Sequence, residues 1–242
     1  MVKNYLVCSV RPISENWMGR DSSQLYLDYQ EMYRLRLASF QHFVKEPFET
    51  ILWTDPATNG DTCAYQNWLD IKDLWHREPC NIFWAGADTL MIRPTELFSD
   101  RFSDYRLFNY TDPRSYKDCI HHFNDDIQYY PHTMLDQVWK LGEEWLNQRE
   151  THPDRNWGFD QLRHNAMFWS QDIPDSDRLH PAMAYQAMKL RSLSDRHIVD
   201  IHNEWNGIDI NQAHMIHFHG SRGSQSVINI MKEICNQLGI QT

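Results

Sequence analysis

The groups in this chain that could do chemistry sit mostly at the ends of expected strands. Cys80 to Phe98, CNIFWAGADTLMIRPTELF, opens with the short apolar run Ile82-Phe83-Trp84, long enough for a buried central strand and too short for a helix. The run stops at Ala85-Gly86-Ala87-Asp88, where small residues deliver one carboxylate at the strand's C-terminal end. Ligands of open α/β sheets bind at that end, which makes Asp88 the first candidate. A loop aspartate that caps the next element is the competing reading. A second donor group lies in Met215 to Gly223, MIHFHGSRG, where His217 and His219 share one strand face and Gly220 and Gly223 permit close backbone approach to a ligand. Lys72 can reach a phosphate from a helix beside the strand end or stand solvated on the surface. Asp160 opens an expected helix that carries Gln161 and Asn165 one turn apart, and a helix cap with two surface amides would look the same. His121-His122 is a poor metal pair, because neighbours on a strand point to opposite faces.

The elements that must position these groups read as follows. Asn4 to Val10 is a buried first strand ended by Arg11-Pro12. Ser22 or Ser23 caps a helix with Leu25, Tyr29, Met32, Tyr33, Leu37 and Phe40 on its apolar stripe and with Arg34 and Arg36 off it. Phe48 to Trp53 is the next strand, so residues 4–53 form a βαβ unit. Between Thr62 and His76 a helix buries Trp68, Ile71 and Trp75. After Asp88 the chain resumes apolar at Thr89–Ile92, Pro94 breaks it, and Thr95-Glu96-Leu97-Phe98 reads as a short capped turn of helix. Tyr105–Tyr110 is a strand turned by Thr111-Asp112-Pro113. Phe123-Asn124-Asp125-Asp126 forms a polar turn into a strand ending at Pro131. Helices are expected over Met134–Asn147 and Trp157–Trp169, and a closing helix buries Val227, Ile230, Met231, Ile234, Cys235 and Leu238. Residues 171–207 show no periodic element.

At 242 residues the chain can bury a core without staples. A net charge of −10 argues against non-specific binding to nucleic acid or anionic membranes, although a local basic pocket can still hold phosphates. The five cysteines are scattered and contain no CxxC pair, which fits a reducing, cytoplasmic setting better than a disulfide framework. The first apolar run is shorter than a signal-peptide core, and no stretch has transmembrane length. Ten tryptophans can stack on sugar rings, but buried Trp is ordinarily core packing and decides nothing alone.

Four segments, in this order, resemble the family 8 glycosyltransferases, the glycogenin and lipopolysaccharide galactosyltransferase type with a GT-A fold. GADTLMIRPTELF is similar to the family's Asp-X-Asp strand end and following run, with Gly86 in place of the first aspartate and Asp88 as the second. Phe123-Asn124-Asp125-Asp126 resembles the family's Phe-Asn-Ser-Gly. Asp160, Gln161 and Asn165 match Asp-Gln-X-X-X-Asn, and His217-Phe218-His219-Gly220 matches His-Phe-X-Gly. The family's pyrophosphate-binding lysine falls at Gly223, with Arg222 one place earlier able to substitute through two guanidinium donors.

The resemblance implies an α/β GT-A domain over residues 1–242, with a Rossmann-like central mixed sheet flanked by helices. Residues 1–100 would be its nucleotide-sugar half, 101–223 its acceptor and catalytic half, and 224–242 a packing helix. It implies transfer of a sugar from a nucleotide-diphosphate donor, UDP-linked, to a carbohydrate, lipid or protein acceptor, with retained anomeric configuration. Mn²⁺ or Mg²⁺ would be held by Asp88 and His217, since hard oxygen ligands with one imidazole suit those ions. Ser9, Val10, Lys72, Ala87, Asp88, Gly220 and Arg222 would contact the donor. Asp125, Asp126, Asp160 and Gln161 would line the sugar and acceptor pocket. Two readings compete with the enzyme. One is a binding or structural module on the same fold, its metal site eroded at Gly86. The other, a hydrolase built on His217 and His219, lacks a further ligand set.

Overall fold

The computed structural model describes residues 2–14, 21–58, 60–98, 108–112, 122–130, 132, 184–186, 214–218 and 224–242. Within them the elements are β1 (Lys3–Ser9), α1 (Ser22–Phe43), β2 (Glu49–Trp53), α2 (Gly60–Arg77), β3 (Cys80–Ala85), β4 (Thr89–Met91), β5 (Phe108–Asp112), β6 (His122–Tyr130), β7 (Ala184–Gln186), β8 (Met215–His217) and α3 (Ser224–Gln237). The expected helices at 134–147 and 157–169 lie outside the described residues. No described helix is long and apolar enough to cross a membrane.

The βαβ unit forms as its periodicity predicts. β1 pairs in parallel with β2 on one side and with β3 on the other, and the crossovers run through α1 and α2. β6 then pairs antiparallel with β3, and β5 antiparallel with β6, giving a five-stranded mixed sheet of order β2-β1-β3-β6-β5. A second sheet of three strands, β4-β8-β7, joins β8 antiparallel to β4 and parallel to β7. β7 comes from the stretch with no readable pattern, because three residues are too few for a period to register.

Alternation along β1 decides what each face packs against. Leu6 and Cys8 meet α1, Leu6 in a cluster with Phe40 and Phe83, and Cys8 in one with Met32, Leu35 and Ile216. On the opposite face, Trp68 and Trp75 of α2 meet the ring of Tyr130 edge-on at 6.2 and 5.5 Å. The burial of Trp68, Ile71 and Trp75 bears out the stripe read on α2. α3 closes the first cluster with Ile228, Met231, Ile234 and Cys235. It ends at Gly239, whose φ of 70° allows the Ile240 amide to reach back to the Cys235 carbonyl at 2.9 Å.

Several local expectations are overturned. α1 is capped by Asp21, whose Oδ1 accepts the Ser23 and Gln24 amides at 2.8 and 3.1 Å, and not by either serine. Its buried residues are Asp28, Met32, Leu35, Arg36, Ser39 and Phe40, so Arg36 lies on the packed face. The reason is that α1 is covered from two directions, by the main sheet and by β4. Thr95–Phe98 forms no helix. The Glu46 carboxylate takes the Leu97 and Phe98 amides at 2.7 and 2.8 Å, and Thr95 bridges Val44, so these groups are satisfied from elsewhere. Phe123–Asp126 is strand within β6, and Thr111 and Asp112 are strand within β5. What looked like a turn is a register irregularity: Asn109 pairs with Gln128 but Tyr110 with Asn124.

Ser39 ties α1 to the second sheet. Its hydroxyl donates to the Arg36 carbonyl at 2.7 Å and accepts the Met91 amide at 3.0 Å, both buried. Ser39→Ala leaves that amide unsatisfied and is expected to lower stability by about 1–3 kcal/mol in urea denaturation. On the surface, Glu31 accepts from Arg34 and from Lys232 of α3, and those contacts hold its carboxyl down from 4.5 to about 2. A depressed folded-state pKa gives stability that is present above the unfolded value and lost as pH falls through the folded one. Glu31→Gln should therefore cost less than about 1 kcal/mol at pH 7, and the difference from wild type should shrink as pH falls from 4.5 toward 2.

Candidate functional site

The chain leaves β3 at Ala85 and turns through Gly86, Ala87 and Asp88 into β4. The Thr89 hydroxyl closes that turn by donating to the Gly86 carbonyl at 2.7 Å. Ala87 is 2% exposed and packs in the cluster that contains Met32 and Leu35 of α1, so the turn is anchored by its middle residue. β8 then runs beside β4, pairing His217 with Thr89, and the Phe218 amide donates to the Asp88 carbonyl at 2.9 Å. This ladder sets His217 Nε2 3.7 Å from Asp88 Oδ1. The His217 side chain is 1% exposed and that of Asp88 13%, so a buried imidazole faces a carboxylate that still reaches solvent.

The other expected site residues fall into three groups. Ser9 ends β1, half-buried, opposite Trp53, and Val10 follows it into the core with its amide on the Trp53 carbonyl at 2.9 Å. Both lie at the end of the sheet that carries Asp88. Asp125 and Asp126 lie in the irregular part of β6, just beyond the pairing of Ile127 with Ala85, so their backbone runs out at that same end. Lys72 is half-buried on α2, two residues past Asp70. Asp160, Gln161, His219, Gly220 and Arg222 lie outside the described residues.

Two buried arginines, neither a candidate from sequence, lie just past the end of β1 and on α1. Arg11, at the end of β1, is buried and fully engaged: it donates to Asn67 Oδ1 at 3.1 Å, to the Asp55 carbonyl at 3.2 Å and to the carboxylates of Asp55 and Asp70. Arg36 is 0% exposed, and Nη2 donates to the Val7 carbonyl at 3.0 Å. Its guanidinium lies over the rings of Phe40 and Tyr33 at 4.9 and 5.8 Å. Burial pulls the guanidinium below its ordinary pKa, against the pull of Cys8, Tyr33 and Asp88. The same burial pushes the Cys8 thiol up to about 11, so Cys8 is a neutral packing group. The signal for Arg36 was its spacing, four residues from both Met32 and Phe40.

No protein-family profile matches the chain, and no curated protein sequence does. Solved structures do. The galactosyltransferase LgtC, solved with donor and acceptor sugar analogues, superposes with a TM-score of 0.57 over 98% of this chain and 96% of its own, at 11% identity. Mouse xyloside xylosyltransferase 1 gives 0.56 over 92% and 99%, at 12% identity. A glycosyltransferase involved in glycosylation of the major capsid of PBCV-1 gives 0.54 over 95% and 98%, at 9% identity. The fold is the GT-A fold of glycosyltransferases.

On this GT-A fold the Asp88–His217 pair presents a carboxylate and an imidazole, donor types that a hard divalent cation can take. A carboxylate oxygen and an imidazole nitrogen 3.7 Å apart can both reach one divalent ion, since such bonds run to about 2.1 Å. The donor chemistry suits Mn²⁺ or Mg²⁺, which complete their shells with water and phosphate oxygens. No group of three or more His, Cys, Asp or Glu positioned for a metal occurs among the described residues, so within them Asp88 and His217 would offer a cation two protein donors at most. Gly86 does not need to be glycine for its backbone, because Gly239 alone has positive φ among the described glycines. Gly86→Asp should therefore fold and bind Mn²⁺ at least roughly tenfold more tightly than wild type, measured by electron paramagnetic resonance titration.

Proposed function

We propose that this protein is a glycosyltransferase that moves a sugar from a nucleotide-diphosphate donor, UDP-linked, to a carbohydrate, lipid or protein acceptor. The observation that carries the reading is the pairing of Thr89 with His217, which joins Asp88 and His217 at the ligand-binding end of a GT-A sheet. The likeness to a galactosyltransferase solved with donor and acceptor analogues supports it. The chain is read as one domain, with its donor half in residues 1–100, its acceptor half in 101–223 and a packing helix after that. A cytoplasmic setting belongs to the same proposal, on the ground that the five cysteines are scattered and contain no CxxC pair.

Loss of a nucleoside diphosphate leaves negative charge on the departing phosphate, and a preorganised cation opposing that charge lowers the barrier. Asp88 and His217 would hold Mn²⁺ or Mg²⁺, which supplies this stabilisation when bound. Ser9, Val10, Ala87 and Lys72 are proposed to flank the nucleotide, and Gly220 and Arg222 its phosphates. Asp125, Asp126, Asp160 and Gln161 are proposed to orient the sugar and acceptor, with Asp160 or Gln161 nearest the anomeric carbon and the configuration retained. Gly86 favours one alternative, a GT-A protein that binds a sugar nucleotide without turning it over. Donor hydrolysis separates the two. Wild type with Mn²⁺ is expected to release UDP from a UDP-sugar, and Asp88→Ala and His217→Ala to lower the rate on the order of a hundredfold. Equal rates in all three proteins, or none with any common UDP- or GDP-sugar, would leave the binding protein as the better reading.

A further inference from the structure

β7 brings to the candidate site a residue that no sequence pattern marks. Ala184–Gln186 pairs in parallel with β8, and its register sets Gln186 against His217; on the other side of β8 the ladder sets Thr89 against the same histidine. Thr89, His217 and Gln186 therefore form one row across the second sheet, whose strand order is β4-β8-β7. Residues opposite each other on paired strands share a face of the sheet, so Gln186 belongs to the face of His217, and Tyr185, registered with Ile216, belongs to the other. Paired strands lie about 4.8 Å apart, so the backbone of Gln186 is as near to His217 as that of Thr89.

The order of the row gives it a direction. Thr89 directly follows Asp88, at the end of the turn that leaves the main sheet at β3. His217 comes next, with Nε2 3.7 Å from Asp88 Oδ1, and Gln186 lies beyond it, two strands from β4. With Asp88 and His217 read as the cation site and the nucleotide along the ends of β1 and β3, the diphosphate falls at that pair. The sugar is esterified to the phosphate remote from the nucleoside, so it continues the line past His217 toward β7.

The residue type suits that place. A carboxylate there would compete as a further ligand for the cation, and an ammonium or guanidinium would oppose the cation while gripping phosphate. A primary amide carries no charge to disturb either, and it combines N–H donors with a carbonyl acceptor. Sugar hydroxyls are donor and acceptor at once, and a site that pairs with a hydroxyl discriminates strongly against a substrate that lacks it. Thr89 and His217 are buried, so this part of the row is closed to water, where an unmatched polar group is most costly.

We propose that Gln186 is a specificity-determining residue that recognises hydroxyls of the sugar carried by the nucleotide-diphosphate donor. This rests on the reading of Asp88 and His217 as the donor site.

The test uses the full chain with Mn²⁺ and calorimetric titration of UDP and of the hydrolysis-resistant phosphonate analogues of UDP-galactose, UDP-glucose, UDP-xylose and UDP-N-acetylglucosamine. Wild type is compared with Gln186→Leu and Gln186→Glu, and melting confirms folding. Gln186→Leu is expected to bind the analogue that wild type prefers roughly tenfold more weakly and UDP within about twofold of wild type. The split between sugar nucleotide and bare nucleotide is the decisive feature, because a structural role weakens both together. Gln186→Glu tests the placement without any nucleotide: a carboxylate added to the row is expected to tighten Mn²⁺ roughly tenfold in an electron paramagnetic resonance titration. Equal losses for UDP and the analogues, analogues unaffected by either variant, or Mn²⁺ affinity within about twofold of wild type in Gln186→Glu overturn the proposal. UDP binding by wild type with none of the four analogues bound overturns it as well, and leaves the donor site standing for UDP alone. Absence of UDP binding to wild type under every condition removes the donor-site reading and the proposal with it.

Discussion

One short antiparallel ladder holds the candidate site together. Three pairs, Thr89 with His217, Leu90 with Ile216 and Met91 with Met215, join the strand after the Gly86–Asp88 turn to a strand from the last part of the chain. The ladder is extended at both ends by backbone bonds, Phe218 to Asp88 and Ile92 to His214. Every side chain in those pairs is buried, so a slip by one residue would move the whole apolar set off its packing partners. The spacing between carboxylate and imidazole is thus fixed by register, and the register by burial.

The rest of the described structure supports that ladder. α1 is the shared wall: Phe40 packs under the main sheet, Met32 and Leu35 pack under the turn, and Ser39 satisfies the Met91 amide of β4. Polar ties at the edges do similar work. The Thr95 hydroxyl meets His214 Nδ1 at 2.8 Å, fixing the entry to β8, and Glu46 gathers the chain that leaves β4. At the far end of the sheet, Asn81 bonds Asn4 at 2.9 Å and the His132 amide at 2.9 Å, linking β1, β3 and the chain after β6. Asp88 is consequently held at the rim of a rigid sheet and not on a free loop, as a group that must meet a ligand at a set distance requires.

The elements that were legible in sequence were those whose pattern is local. β1, β2, β3 and the α2 stripe follow from apolar runs and helical spacing, and the strand-end placement of Asp88 follows from where the run stops. The features that were not legible depend on distant partners. Thr95–Phe98 looked like a capped turn of helix, but its amides are taken by Glu46, far back in the chain. Asp125 and Asp126 looked like a turn because their polarity gave no hint that β5 and β6 would pair across them. Arg36 was set off the apolar stripe because a charged residue reads as surface. Only a helix covered on two sides could bury it, and the second cover, β4 with β8, is a long-range event. The pairing of Asp88 with His217 was reachable solely through resemblance to glycosyltransferases, since no periodicity relates the two.

The most direct measurement is a crystal structure of the full chain with UDP and Mn²⁺, using anomalous scattering to locate the metal. Manganese is expected between Asp88 Oδ1 and His217 Nε2, with the diphosphate on the same ion and the nucleotide along the ends of β1 and β3. UDP lodged elsewhere on the molecule, or manganese away from both residues while UDP occupies the sheet end, would contradict the assignment of this turn as the donor site.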